Sequence, residues 1–298
     1  MLRKHPKNKS AAHKKKKENQ DIEIKERLGR MKNKILIMSG KGGVGKSSVA
    51  AYLAVALAKR GFKVGLMDID LHGPSIPRIL GLNGLLPTAN TTQSIYSIKY
   101  LPNLEVISIE TLMSGKDEAT IWRGPLKGKI IKHFIANVDW NDLDFLIIDS
   151  PPGTGDEPLT VAQVIPDAKA LIVTTPQEIS LADVRKSINF CRRVGIEILG
   201  LVENMSGLQC PFCGKLIDIF KQDGGRMTAE KENLKLLATL PLDPEIVSKG
   251  DEGDMSLMDN HEHPITQAFE SMVKEIAQGY HSLSPPADVL SVLHARSF

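Results

Sequence analysis

Ile35-Leu36-Ile37-Met38-Ser39-Gly40-Lys41-Gly42-Gly43-Val44-Gly45-Lys46-Ser47-Ser48 is the stretch from which the rest of the chain can be placed. Its first four residues form an unbroken apolar run of the kind that fills a central parallel strand buried on both faces. From Gly40 to Ser47 the spacing is G-x-x-x-x-G-K-[ST], the phosphate-binding loop. Gly42, Gly43 and Gly45 allow backbone conformations closed to other residues and bring successive N–H groups, Val44 among them, against phosphate oxygens. Lys46 is expected to reach the β- and γ-phosphates and the Ser47 hydroxyl to ligate Mg²⁺. The helix expected from Ser48 to Arg60, stopped by Gly61, points its positive dipole end at the same phosphates. Strand, loop and helix together imply a site for a nucleoside triphosphate such as ATP.

Composition sets the frame. With 298 residues, 42% hydrophobic and 24% charged, the chain can bury a sizeable core, and one domain is expected. Aromatic residues make up only 5% while small aliphatics abound, which suits buried parallel strands with helices on both faces. No window approaches the roughly 18 uncharged apolar residues of a membrane span, so no membrane partner is expected. The net charge is +3, but eight basic residues and no acid fall within the first 17. The positive balance therefore belongs to the tail. Residues 1–30 read as a disordered basic tail with too few apolar residues for a signal or transit peptide. A solvated terminus is the simplest reading of it, with nucleic acid or anionic lipid as the alternative partner. Three cysteines in 298 residues make no disulfide framework, which fits a reducing, cytoplasmic setting.

Along the chain, Lys63 to Asp68 reads as a second strand running into Asp68-Ile69-Asp70. Carboxylates at a strand's carboxyl end lie where open α/β sheets keep their sites. Asp70 is expected to orient the attacking water and help hold Mg²⁺, with Asp68 in support and His72 structural. Leu80 to Tyr100 reads as a surface excursion, Leu104 to Ile109 as a strand and Lys127 to Ala136 as a helix. Asp144 to Asp149 is an apolar strand ending in a carboxylate placed to contact the metal, and Pro151-Pro152-Gly153 after it suits a switch responsive to the γ-phosphate. Ala170 to Thr175 and Ile198 to Glu203 are further buried strands. Between them Leu181, Val184, Ile188 and Cys191 share one helical face, which makes Cys191 a core residue. Leu236 to Leu240 is a last strand, Pro264 to Gly279 a closing helix, and residues 281–298 a polar tail. The expected architecture is α/β: a doubly wound, mostly parallel sheet with helices on both faces over residues 31–280, carrying a Cys-x-x-Cys insertion.

Lys41, a second lysine after the first glycine, makes the loop resemble the deviant Walker A loop of the MinD/ParA/nitrogenase-iron-protein group. That resemblance implies dimers around nucleotide, with Lys41 crossing to the partner's phosphates, where a second cation stabilises the transferring group. Six motifs in order narrow it: Gly40 to Ser47; Asp68 to Asp70 with Gly73-Pro74-Ser75; Trp122-Arg123-Gly124-Pro125; Asp149 to Asp156; Val202-Glu203-Asn204-Met205-Ser206; and Cys210-Pro211-Phe212-Cys213. Together they resemble the Mrp/ApbC family of P-loop ATPases, iron–sulfur cluster scaffolds and carriers, over about residues 33 to 250. The resemblance implies that Asn204 and the turn from Pro241 to Asp243 contact the adenine. No cysteine precedes Cys191, so the four-cysteine motif of eukaryotic cytosolic relatives is not expected, nor is the basic tail expected to form the small extra domain with which many bacterial members begin.

Three function classes follow, a nucleotide-binding regulator whose Cys pair carries structural zinc being the third after the two compared next. The leading one is a slow ATPase that carries a [4Fe–4S] cluster to recipient apoproteins, with cluster assembly proteins as further partners. The alternative is a partitioning or positioning ATPase that binds DNA or membrane. The Cys-x-x-Cys pair separates them, because a positioning ATPase has no need of it. A [4Fe–4S] cluster takes four thiolates and one chain offers Cys210 and Cys213, so a homodimer sharing the cluster across a twofold axis is expected. Pro211 is read as stiffening the turn between them. Zinc suits the same four sulfurs, and a redox pair is a weaker alternative.

Overall fold

The computed structural model describes residues 21–71, 73–82, 97–112, 124–138, 140–210, 212–220 and 223–280. The basic residues 1–17, most of the excursion expected after Leu80, His72, Trp122, Arg123, Pro211 and the C-terminal tail lie outside them.

Strand β1 (Met31–Ser39) lies inside an eight-stranded sheet. Its neighbours are β5 (Leu143–Asp149) on one side and β6 (Lys169–Thr174) on the other, both parallel. Next to β5 come β2 (Val64–Asp68), β4 (Leu104–Ser108) and the edge strand β3 (Ile98–Leu101). Next to β6 come β7 (Glu197–Glu203) and β10 (Leu236–Thr239). All pairs are parallel except β3 with β4. This is the expected mostly parallel sheet.

The strand alternation explains the two helical layers. Ile35 and Ile37 point into one apolar cluster and Leu36 and Met38 into the other, and all four are fully buried. The first cluster is covered by α2 (Lys46–Lys59), α3 (Ile76–Ile79), α8 (Pro244–Glu252) and α9 (Pro264–Gly279). The second is covered by α1 (residues 21–29), α4 (Gly124–Asn137), α5 (Asp156–Val164), α6 (Glu178–Val194) and α7 (Gly224–Lys231). Helix α2 is apolar on every side, as a helix wedged between a sheet and other helices must be. Cys191 lies fully buried in the second cluster, 3.6 Å from the Met38 sulfur, and burial pushes its thiol up to about 12.

Several boundaries differ from expectation. The folded part begins by residue 21, not 31, because Ile24 and Leu28 of α1 are buried against the second cluster. The supposed excursion is shorter at both ends: Leu80 and Leu82 are buried, and Ile98 to Tyr100 belong to β3. Helix α2 starts at Lys46, since Gly45 in a left-handed conformation already turns the chain into it. Helices α3, α5, α7 and α8 were not expected; each is short, and α7 and α8 begin at Gly224 and Pro244.

Candidate functional site

The parallel strands deliver their carboxyl ends to one edge, and the candidate site is built there. After Ser39 the loop from Gly40 to Gly45 turns back over the sheet, with Gly43 at φ +78° and Gly45 at φ +79°. Gly45 has no room for a side chain: a Cβ would lie 2.3 Å from the Asn204 amide nitrogen. Gly42 and Gly43 have open space around them, apart from Pro152 at 3.8 Å from a Cβ on Gly42. Val44 and Lys46 are buried while Ser47 and Ser48 are half-buried at the helix start.

Lys46 is the hub. Its Nζ donates to Asp149 Oδ1 at 2.5 Å and to Ser47 Oγ at 3.3 Å, and stands 4.0 Å from Asp70 Oδ2. Sheet register places Asp68 beside Asp149 on adjacent strands. Burial pushes the Asp149 carboxyl up, against the pull of Lys46 and the Ser47 hydroxyl. Burial, and next the neighbouring Asp149, push Asp68 up to about 8. Asp68 supports the turn bearing Asp70: its Oδ1 accepts from the Asp70 N–H at 3.0 Å, and its Oδ2 from the Ile76 N–H at 3.3 Å and the Ser108 hydroxyl at 3.1 Å. The Asp149 Oδ2 atom is fully buried and has no hydrogen-bond partner among the described residues. An orphaned carboxylate oxygen beside a serine hydroxyl and a second aspartate is an all-oxygen donor set, which fits a hard cation such as Mg²⁺. Behind Asp149, Ser150 donates to the Ile37 carbonyl and the Gly153 N–H to that of Ser39, which ties the Pro-Pro-Gly turn to β1.

Asn204 follows β7 and donates from Nδ2 to the Val44 carbonyl at 2.9 Å. Together with Gly45, Ser48, Pro241 and Asp243 it borders a cavity of about 310 Å³. The expected base-contacting residues are thus brought together beside the loop. The Asp243 carboxylate itself caps α8, accepting from the Glu245 N–H at 2.8 Å and facing His263 Nε2 at 3.4 Å. Lys41 stands apart from the Lys46 cluster and donates to Gln177 Oε1 at 3.2 Å.

Cys210 and Cys213 lie on a different element. A small antiparallel hairpin, β8 (Leu208–Gln209) with β9 (Leu216–Ile217), holds them at its tip. The Cys210 N–H donates to the Lys215 carbonyl and the Gly214 N–H to that of Cys210, both at 2.9 Å, with Gly214 at φ +69°. The backbone N–H of Phe212, then that of Cys213 and the Cys213 thiol, pull the Cys210 thiol below its usual range. Phe212 is 96% exposed, and Leu216, Ile217 and Ile219 are also exposed. Among the described residues no three His, Cys, Asp or Glu side chains converge on a common metal position.

Sequence reasoning missed Ser108, Gln177 and Glu203. Ser108 and Glu203 are polar residues ending buried strands, which is the signal that could have flagged them. Glu203 is buried, accepts from the Ser206 hydroxyl at 2.6 Å and takes the Gly225 N–H in the first turn of α7. Among the described residues no helix is long and apolar enough to cross a membrane.

A family model described as the NUBPL iron-transfer P-loop NTPase matches residues 30–277. The iron-sulfur cluster carrier protein of Methanocaldococcus jannaschii is 43% identical over 261 residues, 87% of this chain and 89% of that protein. A solved nucleotide-binding protein from Archaeoglobus fulgidus in complex with ADP superposes with a TM-score of 0.71 at 37% identity, over 84% of this chain and 96% of its own. The cell division ATPase MinD of Pyrococcus furiosus gives 0.61 at 28% identity, over 83% and 98%.

Proposed function

This chain belongs to the NUBPL iron-transfer P-loop NTPase family, and from that premise we propose that it is an ATP-hydrolysing carrier of an iron–sulfur cluster. A [4Fe–4S] cluster is its cargo, held by Cys210 and Cys213 of two copies and passed to recipient apoproteins in the cytoplasm. The observation that carries this reading is the join between the two sites. The hairpin with the cysteines bridges Leu208 to Leu242, and the Leu242 N–H donates to the Gly207 carbonyl at 2.9 Å. Leu242 is part of the turn bordering the nucleotide cavity, so movement of that turn is transmitted through backbone hydrogen bonds to the thiols.

At the nucleotide end, Lys46 exchanges Asp149 for the β- and γ-phosphates, and the loop N–H groups cradle them. Ser47, Asp70 and Asp149 hold Mg²⁺, which supplies neutralisation of phosphate charge when bound. Asp70 orients the attacking water, held in place through Asp68. Asn204 and the turn from Pro241 to Asp243 receive the adenine. Lys41, whose one hydrogen bond among the described residues is to Gln177, reaches across a dimer to the partner's phosphates. Hydrolysis is slow and coupled to cluster binding or release.

Anaerobic reconstitution with iron and sulfide tests the reading directly. About four irons and four sulfides per dimer are expected, with a visible charge-transfer spectrum lost in Cys210→Ala and in Cys213→Ala. One zinc per dimer, iron retained without these thiols, or ATP-dependent DNA binding by iron-free protein would refute it.

A further inference from the structure

The cavity beside the phosphate loop extends past Asn204 and the Pro241 turn. Its farther walls are α3, with Arg78 and Ile79, and α8, with Ile246 and Asp251, over a floor that includes Val49 and Phe269. Beyond these residues the two helices meet backbone to backbone at Gly81 and Gly253, at φ +64° and +72°. A Cβ on Gly253 would lie 2.3 Å from the Gly81 Cα, so side chains are excluded where the walls join. Arg78 is exposed, and its guanidinium makes no hydrogen bond or ion pair with any described residue, Asp251 of the opposite wall included. Arg78 lines the cavity together with the apolar Val49, Ile79, Ile246 and Phe269, and a guanidinium plane suits the face of an aromatic ring. The phosphate end of a nucleotide is already met by Lys46 and the loop.

Resting on the nucleotide reading above, we propose that Arg78 contacts the nucleoside, its guanidinium stacking on the base, and so closes α3 onto bound nucleotide. The consequence reaches the chemistry, because α3 begins six residues after Asp70 and its first N–H, that of Ile76, is held by Asp68. A base gripped by Arg78 fixes the segment that carries Asp70. Arg78 is thereby a specificity-determining residue for the nucleoside half of the ligand.

Calorimetric titration of the full chain with ATP and with inorganic tripolyphosphate, for the parent, Arg78→Ala and Arg78→Lys, decides it. Arg78→Ala is expected to weaken ATP roughly tenfold, within the span of exposed to desolvated cation–π contacts, and to leave tripolyphosphate unchanged. Arg78→Lys should restore less than half of the loss, since an ammonium does not stack as a plane. Because Arg78 is exposed, both variants are expected to melt at the parental temperature. Unchanged ATP affinity in Arg78→Ala, or equal loss of ATP and tripolyphosphate, would overturn the assignment. A parent that binds no ATP at all fails the nucleotide reading itself, and the inference with it.

Discussion

The loop after β1 and the hairpin after β7 stand on the same edge of the sheet, yet they are finished to different degrees. In the first, Lys46, Asp68 and Asp149 are buried and hydrogen-bonded. In the second, two thiols sit on a hairpin of two-residue strands whose Phe212 and neighbours face solvent. A two-stranded ribbon of that size holds little structure on its own. The difference bears on where each chemistry is assembled: in the proposed function the Lys46 contacts to phosphate come from one chain, whereas the proposed four-thiolate site needs a second copy for its other half.

The strongest way to break this contrast is Lys46→Ala. Hydrolysis should fall by about 10³-fold, the upper range for removing one preorganised charge-stabilising group, while iron loading of Cys210 and Cys213 stays at the parental level. Loss of both in parallel assays would mean that the two regions are not separately built.

A smaller effect is expected from Asp70→Ala, about 10²-fold in kcat, typical of a residue that positions the attacking group. Its ATP dissociation constant, measured by titration, should change only a few-fold. If binding were lost as fully as turnover, Asp70 would belong to the phosphate cradle and not to water orientation.

Ser108→Ala sharpens the contrast from the buried side. Removing the hydroxyl leaves Asp68 Oδ2 with the Ile76 N–H alone, and stability in urea should drop by about 0.5–1.5 kcal/mol, the net worth of one hydrogen bond. A parental midpoint would show that Asp68 does not depend on it.

The smallest effect separates the cysteines themselves. Iodoacetamide, followed by peptide mass spectrometry, should label Cys210 ahead of Cys213, and Cys191 only after unfolding. The sign follows from the thiol pKa. Lowered at Cys210, it raises the thiolate fraction at neutral pH, so labelling levels off at lower pH than for an ordinary thiol; pushed to about 12 at Cys191, it leaves almost no thiolate. Faster labelling of Cys191 in the native protein would contradict its place in the core.

Local pattern was enough for the parts whose chemistry is written in consecutive residues. Gly40 to Ser47, the apolar run before it and the strand ending at Asp149 announced the parallel sheet and its phosphate site, because strand periodicity and glycine freedom are properties of neighbours in the chain. The face shared by Leu181, Val184, Ile188 and Cys191 likewise placed Cys191 in the core. What the chain order could not give was every contact between strand ends: Lys46 on Asp149 across 103 positions, Ser108 under Asp68, Asn204 against Gly45, and the Cys210 hairpin bonded to the turn at Leu242. Nor could it place Arg78, a surface arginine in sequence, on the wall of the cavity beside the phosphate loop. Those pairings depend on which strands lie side by side in the sheet, and that order is decided by the burial of the whole core and by no single segment.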